Sequence, residues 1–206
     1  MVAAIELGAT WLERLLLAIS SGVAEDAPSQ RGPAFAYVES LQRGDHESWR
    51  LLFDEESAAL YRYVFSRLGN AEDAEDVTNQ VFEEAWRSIG RYRDEGLPLR
   101  AWLFGIARNV AGSHRRRFMG RNAQVSIDAL QIEGRPDAVH TEMLDLVRAL
   151  ASIDPAQAET ISLRYIHGLS LIETAAVLGT TVDGVKGRQQ RALAALKRRL
   201  GRDTTV

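Results

Sequence analysis

The side chains with the clearest chemical purpose lie near the C-terminus, where Lys186, Arg188, Gln189, Gln190 and Arg191 fall within about two turns of a helix. Arginine pairs bidentately with the major-groove edge of guanine and glutamine with that of adenine, each pair giving about 1–3 kcal/mol of discrimination. The chemistry on offer is recognition of base edges, and Thr181, Asp183, Lys186, Arg188, Gln189 and Arg191 form the candidate reading set. Lys197, Arg198 and Arg199 lie too far along to read the same bases; they suit phosphate or a protein partner. A second constellation sets acid against base. Glu72, Asp73, Glu75 and Asp76 crowd the first turn of one helix, where the positive end of the macrodipole favours negative charge, and Arg115, Arg116 and Arg117 close the next. The acidic end suits a basic protein surface, the basic end phosphates.

The same inventory argues against catalysis. There is no cysteine, which removes disulfides, thiolate metal sites and cysteine nucleophiles together. The four histidines stand singly, and no His, Asp, Glu and Gly cluster has ligand or nucleophile spacing, so no enzyme, metal or cofactor is expected. The net charge of −3 hides strong local basicity. No acidic residue occurs between Gly96 and Ile127, and from Val182 to Arg202 Asp183 is the single acid among the basic residues. The apolar run from Trp11 to Ile19 is broken by Glu13 and Arg14 and is too short to span a bilayer. A soluble, cytoplasmic protein without membrane insertion is expected.

The elements that must position these groups are all helical by pattern. Residues 1–32 read as a leader: a short amphipathic helix from Thr10 to Ser20, with Leu12, Leu15, Leu16 and Ile19 on one face, then a flexible linker. Residues 33–117 read as one helical domain. Phe35 to Leu41 forms a helix ended by Gly44; Asp45 caps a helix carrying Trp49, Leu52 and Phe53; a further run places Leu60, Tyr61, Val64, Phe65 and Leu68 inward before Gly69. The acidic helix follows, with Ala74, Val77, Val81 and Ala85 inward, Asp76, Asn79, Gln80 and Glu83 on a polar face, and Phe82 and Trp86 bordering it. A loop is expected from Arg91 to Pro98, then a helix with Leu99, Trp102, Leu103, Ile106 and Val110 inward. Residues 118–139 lose all periodicity and read as an interdomain linker.

Residues 140–206 read as a second helical domain. Met143, Leu146, Val147 and Leu150 predict a first helix, and Asp154-Pro155 starts a second that ends at Gly168. Ser170 and Glu173 are spaced as a capping box for a short helix, Leu171 to Leu178, closed by Gly179. Thr181 caps the last helix, whose apolar face is Val182, Val185, Leu193, Leu196 and Leu200. Two helices joined by a three-residue turn containing glycine make a helix-turn-helix, whose second helix presents its N-terminal residues to the major groove.

Taken together, these motifs resemble the sigma-70 family of bacterial sigma factors in its short, extracytoplasmic-function (ECF) form. The stretch from Asp73-Ala74-Glu75-Asp76-Val77 to Trp102-Leu103-Phe104-Gly105-Ile106-Ala107-Arg108-Asn109 is similar to sigma region 2. Gly168-Leu169-Ser170 through Ala175-Ala176-Val177-Leu178-Gly179 to Val185-Lys186-Gly187-Arg188 is similar to region 4. The resemblance implies an all-α protein that binds core RNA polymerase and recognises and melts promoters. It puts Asp73, Asp76, Asn79, Gln80, Phe82, Glu83 and Trp86 against the clamp helices of the largest polymerase subunit. It puts Arg91, Tyr92, Arg93, Arg100, Trp102, Arg108, Asn109, Arg115 and Arg116 at the minus-10 element, where a flipped-out base is captured. The last domain then binds the minus-35 element and the flap of the second-largest subunit, and a cognate anti-sigma protein is a further expected partner. Three positions depart from the family pattern: Asn79-Gln80 replaces Gln-Glu, and Gly187 replaces a small hydroxyl residue. The other reading open to the residues is a helix-turn-helix regulator whose residues up to Arg117 bind an effector or dimerise.

Overall fold

The computed structural model describes residues 35–93, 97–118 and 150–203. The expected leader, the interdomain linker and the helix expected from His140 lie outside these residues, apart from its last positions at Leu150. The chain divides into two compact units, one carried mainly by residues 35–118 and the other mainly by the helices of residues 150–203. Among the described residues there is no strand.

The first unit is built from α1 (Phe35–Gln42), α2 (His46–Leu68), α3 (Ala71–Ser88) and α4 (Leu99–Phe118), with a short 3-10 turn at Ile89–Arg91. The two helical runs expected between Asp45 and Gly69 are one helix of 23 residues. Asp54 to Ala59 contains no glycine or proline and is rich in good helix formers, so nothing interrupts the ladder. Asp45 caps its start by accepting from the Ser48 amide, and Gly69 ends it at φ 72°, a left-handed conformation that glycine adopts without steric cost. α2, α3 and α4 pack together around Leu60, Tyr63, Val64, Val77, Val81, Leu99, Leu103 and Phe104, none more than 1 % exposed. α1 is fastened to α2 by two long side chains: Trp49 Nε1 donates to the Leu41 carbonyl at 3.0 Å, and the Tyr37 hydroxyl donates to that of Ser48 at 3.0 Å.

The stripe of α3 comes out as its spacing indicates, with Ala74, Val77, Val81 and Ala85 buried. That of α4 is rotated from the expectation. Its buried face is Leu99, Ala101, Leu103, Phe104, Ala107 and Ala111, while Trp102, Ile106 and Val110 are half-buried along its flank. The small alanines let α4 approach its neighbours closely, so they take the core positions that size alone would give to Trp102 and Ile106.

The second unit contains α5 (Pro155–Ile161), α6 (Leu171–Leu178) and α7 (Val182–Asp203). Asp154 caps α5 by accepting from the amides of Ala156 and Gln157, with Pro155 at the first helical position. The helix does not run unbroken to Gly168: Ser162–Ile166 widens into a π turn, in which the His167 amide donates to the Ser162 carbonyl at 3.0 Å. The capping box of α6 forms in both directions, Ser170 N to Glu173 Oε2 at 2.6 Å and Glu173 N to Ser170 Oγ at 3.2 Å. Gly179 then closes α6 at φ 62°, and Thr181 Oγ1 accepts from Gly184 N at 3.1 Å to open α7. Leu150, Ile161, Tyr165, Ala192, Leu193 and Leu196 form the core that joins α5 to α7.

Candidate functional site

Three surfaces carry the expected functional residues. The first is the outer side of α3. Asp76, Asn79, Gln80 and Glu83 are all exposed there, so its polar face is open to a partner. Asp73 faces elsewhere: its Oδ1 lies 3.1 Å from Nε2 of His114, near the far end of α4, and it is only partly exposed. Phe82 and Trp86 lead into an apolar groove that the sequence did not reveal. Its walls are His46, Trp49 and Phe53 from α2 and Phe82 and Trp86 from α3, with Arg50, Glu83 and Arg87 at the edge. Phe53 and Phe82 have ring centroids 4.8 Å apart, and Trp49 and Trp86 4.9 Å. Trp86 is 45 % exposed and Phe53 43 %, so both offer open aromatic surface. Phe53 stands one turn after Trp49, which places the two on one face, but only the packing of α2 on α3 aligns that face with Phe82 and Trp86.

The second surface is formed by the turn after α3 and by α4. Arg91 and Arg93 are exposed, whereas Tyr92 is buried, its hydroxyl donating to the Leu97 carbonyl at 2.8 Å and its ring 5.2 Å from Trp102. Trp102 therefore stands on Tyr92 with its outer part open. Arg93 Nη1 folds back to donate to the carbonyls of Gly90 and Tyr92, both at 2.9 Å. Arg100, expected at the minus-10 element, is engaged within the domain. Its Nε lies 3.2 Å from Glu56 Oε2 and its guanidinium 5.7 Å from the Phe104 ring, so it is tied into the α2–α4 contact. Burial raises the Glu56 pKa above the ordinary carboxylate value, Arg100 opposing and Glu55 adding to the shift. Burial and the nearby charge of Arg100 together lower the pKa of Arg62. Further along α4, Asn109 and Arg116 are exposed and Arg108 and Arg115 half-buried. Arg116 also donates to Ser113 Oγ at 2.9 Å.

The third surface is the start of α7. Thr181, Asp183, Lys186, Gln190 and Arg191 are exposed and Arg188 is half-buried. Lys186 Nζ lies 3.9 Å from Asp183 Oδ1 on the same open face. Gln189 corrects the sequence expectation. It is 4 % exposed, and its Oε1 accepts at 3.0 Å from Nε of Arg164, itself 2 % exposed. Arg164 Nη1 also donates to the Leu169 carbonyl at 2.6 Å, so one buried guanidinium joins the chain entering α6 to the middle of α7. The signal was present as a gap. Val185 and Leu193 mark the apolar face, and Gln189 falls midway between them at four-residue spacing, on the same side of the helix.

Comparison with known proteins matches both units. The family model described as Sigma-70 region 2 covers residues 52–119, and that described as Sigma-70, region 4 covers residues 149–198. The ECF RNA polymerase sigma factor BldN of Streptomyces coelicolor is 34 % identical over 183 residues, spanning 86 % of this chain and 69 % of the relative. The ECF RNA polymerase sigma factor SigL of Mycobacterium tuberculosis is 34 % identical over 152 residues, spanning 72 % and 86 %. Among solved structures, CnrH in complex with the cytosolic domain of CnrY aligns with a TM-score of 0.65 at 28 % identity, covering 82 % of this chain and 97 % of that one. The sigma factor RpoE in complex with the anti-sigma factor NepR from Bartonella quintana aligns at 0.59 and 27 %, covering 75 % and 98 %.

Proposed function

The chain belongs to the ECF RNA polymerase sigma factors of the sigma-70 family, and from that membership we propose how its surfaces divide the work of initiation. The protein is a promoter-recognising sigma factor. It binds core RNA polymerase, recognises the minus-35 and minus-10 elements and melts promoter DNA. The observation that carries this is the presence of region 2 and region 4 in one chain and in that order. A helix-turn-helix regulator is not favoured, because it would have no use for a region 2.

The outer side of α3 is the polymerase surface in our reading. Asp76, with Asn79, Gln80 and Glu83, meets a basic face of the clamp helices of the largest subunit. The groove between Phe53, Phe82 and Trp86 receives apolar side chains beside them, in the manner of a helix laid in a groove. The turn after Gly90 and the start of α4 take the melted minus-10 strand. Unstacking a base costs a few kcal/mol, which stacking on an aromatic surface offsets in part, and Trp102 backed by Tyr92 supplies that surface. Arg91, Arg93, Arg108, Asn109, Arg115 and Arg116 hold the adjoining backbone and bases, with Arg100 steadying α4 through Glu56.

On the upstream element, Lys186, Arg188 and Arg191 read or hold DNA from α7, with Thr181 and Asp183 at its entry. Gln189 acts from inside, through Arg164. Region 4 also meets the flap of the second-largest subunit, and an anti-sigma protein is a further partner, as it is for RpoE in its solved complex. The chemistry of RNA synthesis belongs to the polymerase, and the cytoplasm, where polymerase and chromosome are, is the place of action. Among the described residues no helix is long and apolar enough to cross a membrane.

The test is transcription with purified core polymerase on a library of promoter fragments. Addition of the protein is expected to give initiation at a defined set of start sites, and absence of any promoter-specific start would defeat the reading. In the same assay Asp76→Arg is expected to weaken binding to core at least tenfold with helix content unchanged, a like-charge contact at a close interface costing about 1.4 kcal/mol or more. Undiminished affinity would remove Asp76 from the contact.

A further inference from the structure

We propose that Gln42, the last residue of α1, is a positioning residue for promoter melting, holding the turn before the minus-10 loop in place when Arg93 leaves that turn for DNA. The inference rests on the assignment of this turn and the start of α4 to the minus-10 strand.

Gln42 Nε2 donates to the carbonyls of Ile89 and Tyr92, both at 3.2 Å, across 47 and 50 residues of sequence. The Tyr92 carbonyl thus has two donors, because Arg93 Nη1 also reaches it. A carbonyl has two lone pairs and can accept both. The two anchors differ in what DNA does to them. Arg93 is exposed, and its guanidinium bonds a phosphate more strongly than it bonds neutral carbonyls, so an approaching strand draws it away. Gln42 is neutral and gains less from a phosphate than a guanidinium does. It sits on a helix that Trp49 and Tyr37 fasten to α2, so its amide stays where it is.

What it retains is the seat of the aromatic pair. With the Tyr92 carbonyl held, the Tyr92 ring stays between the Leu97 carbonyl and Trp102, and Trp102 keeps its support as Arg93 is recruited. α1 lies before the residues matched to region 2, so this contact is made to the melting surface from outside the matched segment.

The experiment uses the full chain assembled with core polymerase. Its probe is a single-stranded oligonucleotide copied from the minus-10 region of a promoter that the initiation assay identifies. Gln42→Glu is nearly isosteric but exchanges the N–H donors for a negatively charged carboxylate; Gln42→Ala removes the head group without adding charge. Because Gln42 is exposed, neither change opens the core. Both are expected to weaken oligonucleotide binding about two- to tenfold, the worth of a net hydrogen bond or so, and to lower the open-complex fraction on duplex promoter. Affinity for core and for a duplex carrying the minus-35 element alone should not move. The salt slope of oligonucleotide binding should also stay constant in Gln42→Ala and fall in Arg93→Ala, since only the latter loses a phosphate contact.

Three results overturn the proposal. Unchanged oligonucleotide binding in both Gln42 variants, with loss in Arg93→Ala or Trp102→Ala, removes Gln42 and leaves the loop assignment standing. No change in any of the four variants defeats the loop assignment and the inference with it. Equal losses for core, duplex and oligonucleotide mark a general structural role instead.

Discussion

At the scale of single residues, the side chains proposed to touch partners are distinct from those proposed to aim them. Arg188 and Gln189 are neighbours in sequence and differ in environment, one half-buried on the side proposed to meet DNA and one buried against Arg164. Arg188→Ala is expected to change which minus-35 sequences are used, read by sequencing transcript starts, with little change in stability. Gln189→Ala removes the acceptor of a buried guanidinium N–H and should lower unfolding stability by about 1–3 kcal/mol, read by denaturant titration. Equal effects of the two substitutions on promoter choice would show that Gln189 also reaches DNA. Glu56 supplies a pH dependence. Its folded-state pKa is raised, chiefly by burial, so between the ordinary carboxylate value and the raised one the folded state holds more proton than the unfolded. Its contribution to stability is therefore fully present below the ordinary value and is lost as pH rises through the raised one. Glu56→Gln should flatten that part of the stability–pH curve, and an unaltered slope would exclude Glu56 as its source.

At the scale of elements, the helix ends are where local sequence decides most. The capping box of α6, the Asp45 cap of α2 and the Asp154-Pro155 start of α5 all form from side chains within four residues of one another. Such pairings need no tertiary information, which is why the spacing of Ser170 and Glu173 was enough to place the helix-turn-helix. The interior of α7 is subtler, because two of its glycines differ in surroundings. A Cβ at Gly187 would meet only the Arg191 guanidinium, at 3.4 Å, whereas one at Gly184 would lie 2.7 Å from Thr180 Oγ1. Gly187→Ala is expected to stabilise α7 by about 0.5–1 kcal/mol, the ordinary helix gain over glycine. Gly184→Ala should lose that gain or reverse it, because Thr180 must shift. Thermal unfolding of the two variants checks the contrast, and equal stabilisation would mean that Thr180 yields freely.

At the scale of the whole molecule, a net charge of −3 coexists with two basic surfaces, the end of α4 and the start of α7. Promoter binding by the holoenzyme should therefore weaken steeply with salt, the slope of log affinity against log salt growing by about 0.9 for each duplex phosphate neutralised. Lys186→Ala should reduce that slope by about one unit if its ammonium meets phosphate, and an identical slope would assign it elsewhere. The acidic face of α3 makes the average misleading as a guide to partners. It balances the basic helices in the sum while standing on a different surface of the first unit.

The sequence by itself determined the helical class, the caps that open α2, α5, α6 and α7, the inward stripe of α3 and the family, because each depends on short-range spacing or on motif order. Tertiary structure alone decided which faces of the other helices are spent on packing. α4 turned its alanines inward and left Trp102 on the flank, Tyr92 went under Trp102, Arg100 was taken by Glu56, and Gln189 was drawn to a buried guanidinium. The aromatic groove of Phe53, Phe82 and Trp86 and the reach of Gln42 to the turn at Ile89 and Tyr92 likewise exist only once α1, α2 and α3 are packed. The physical reason is common to all of them. A helical period of 3.6 residues states which side chains share a face, but not which neighbouring helix that face will meet.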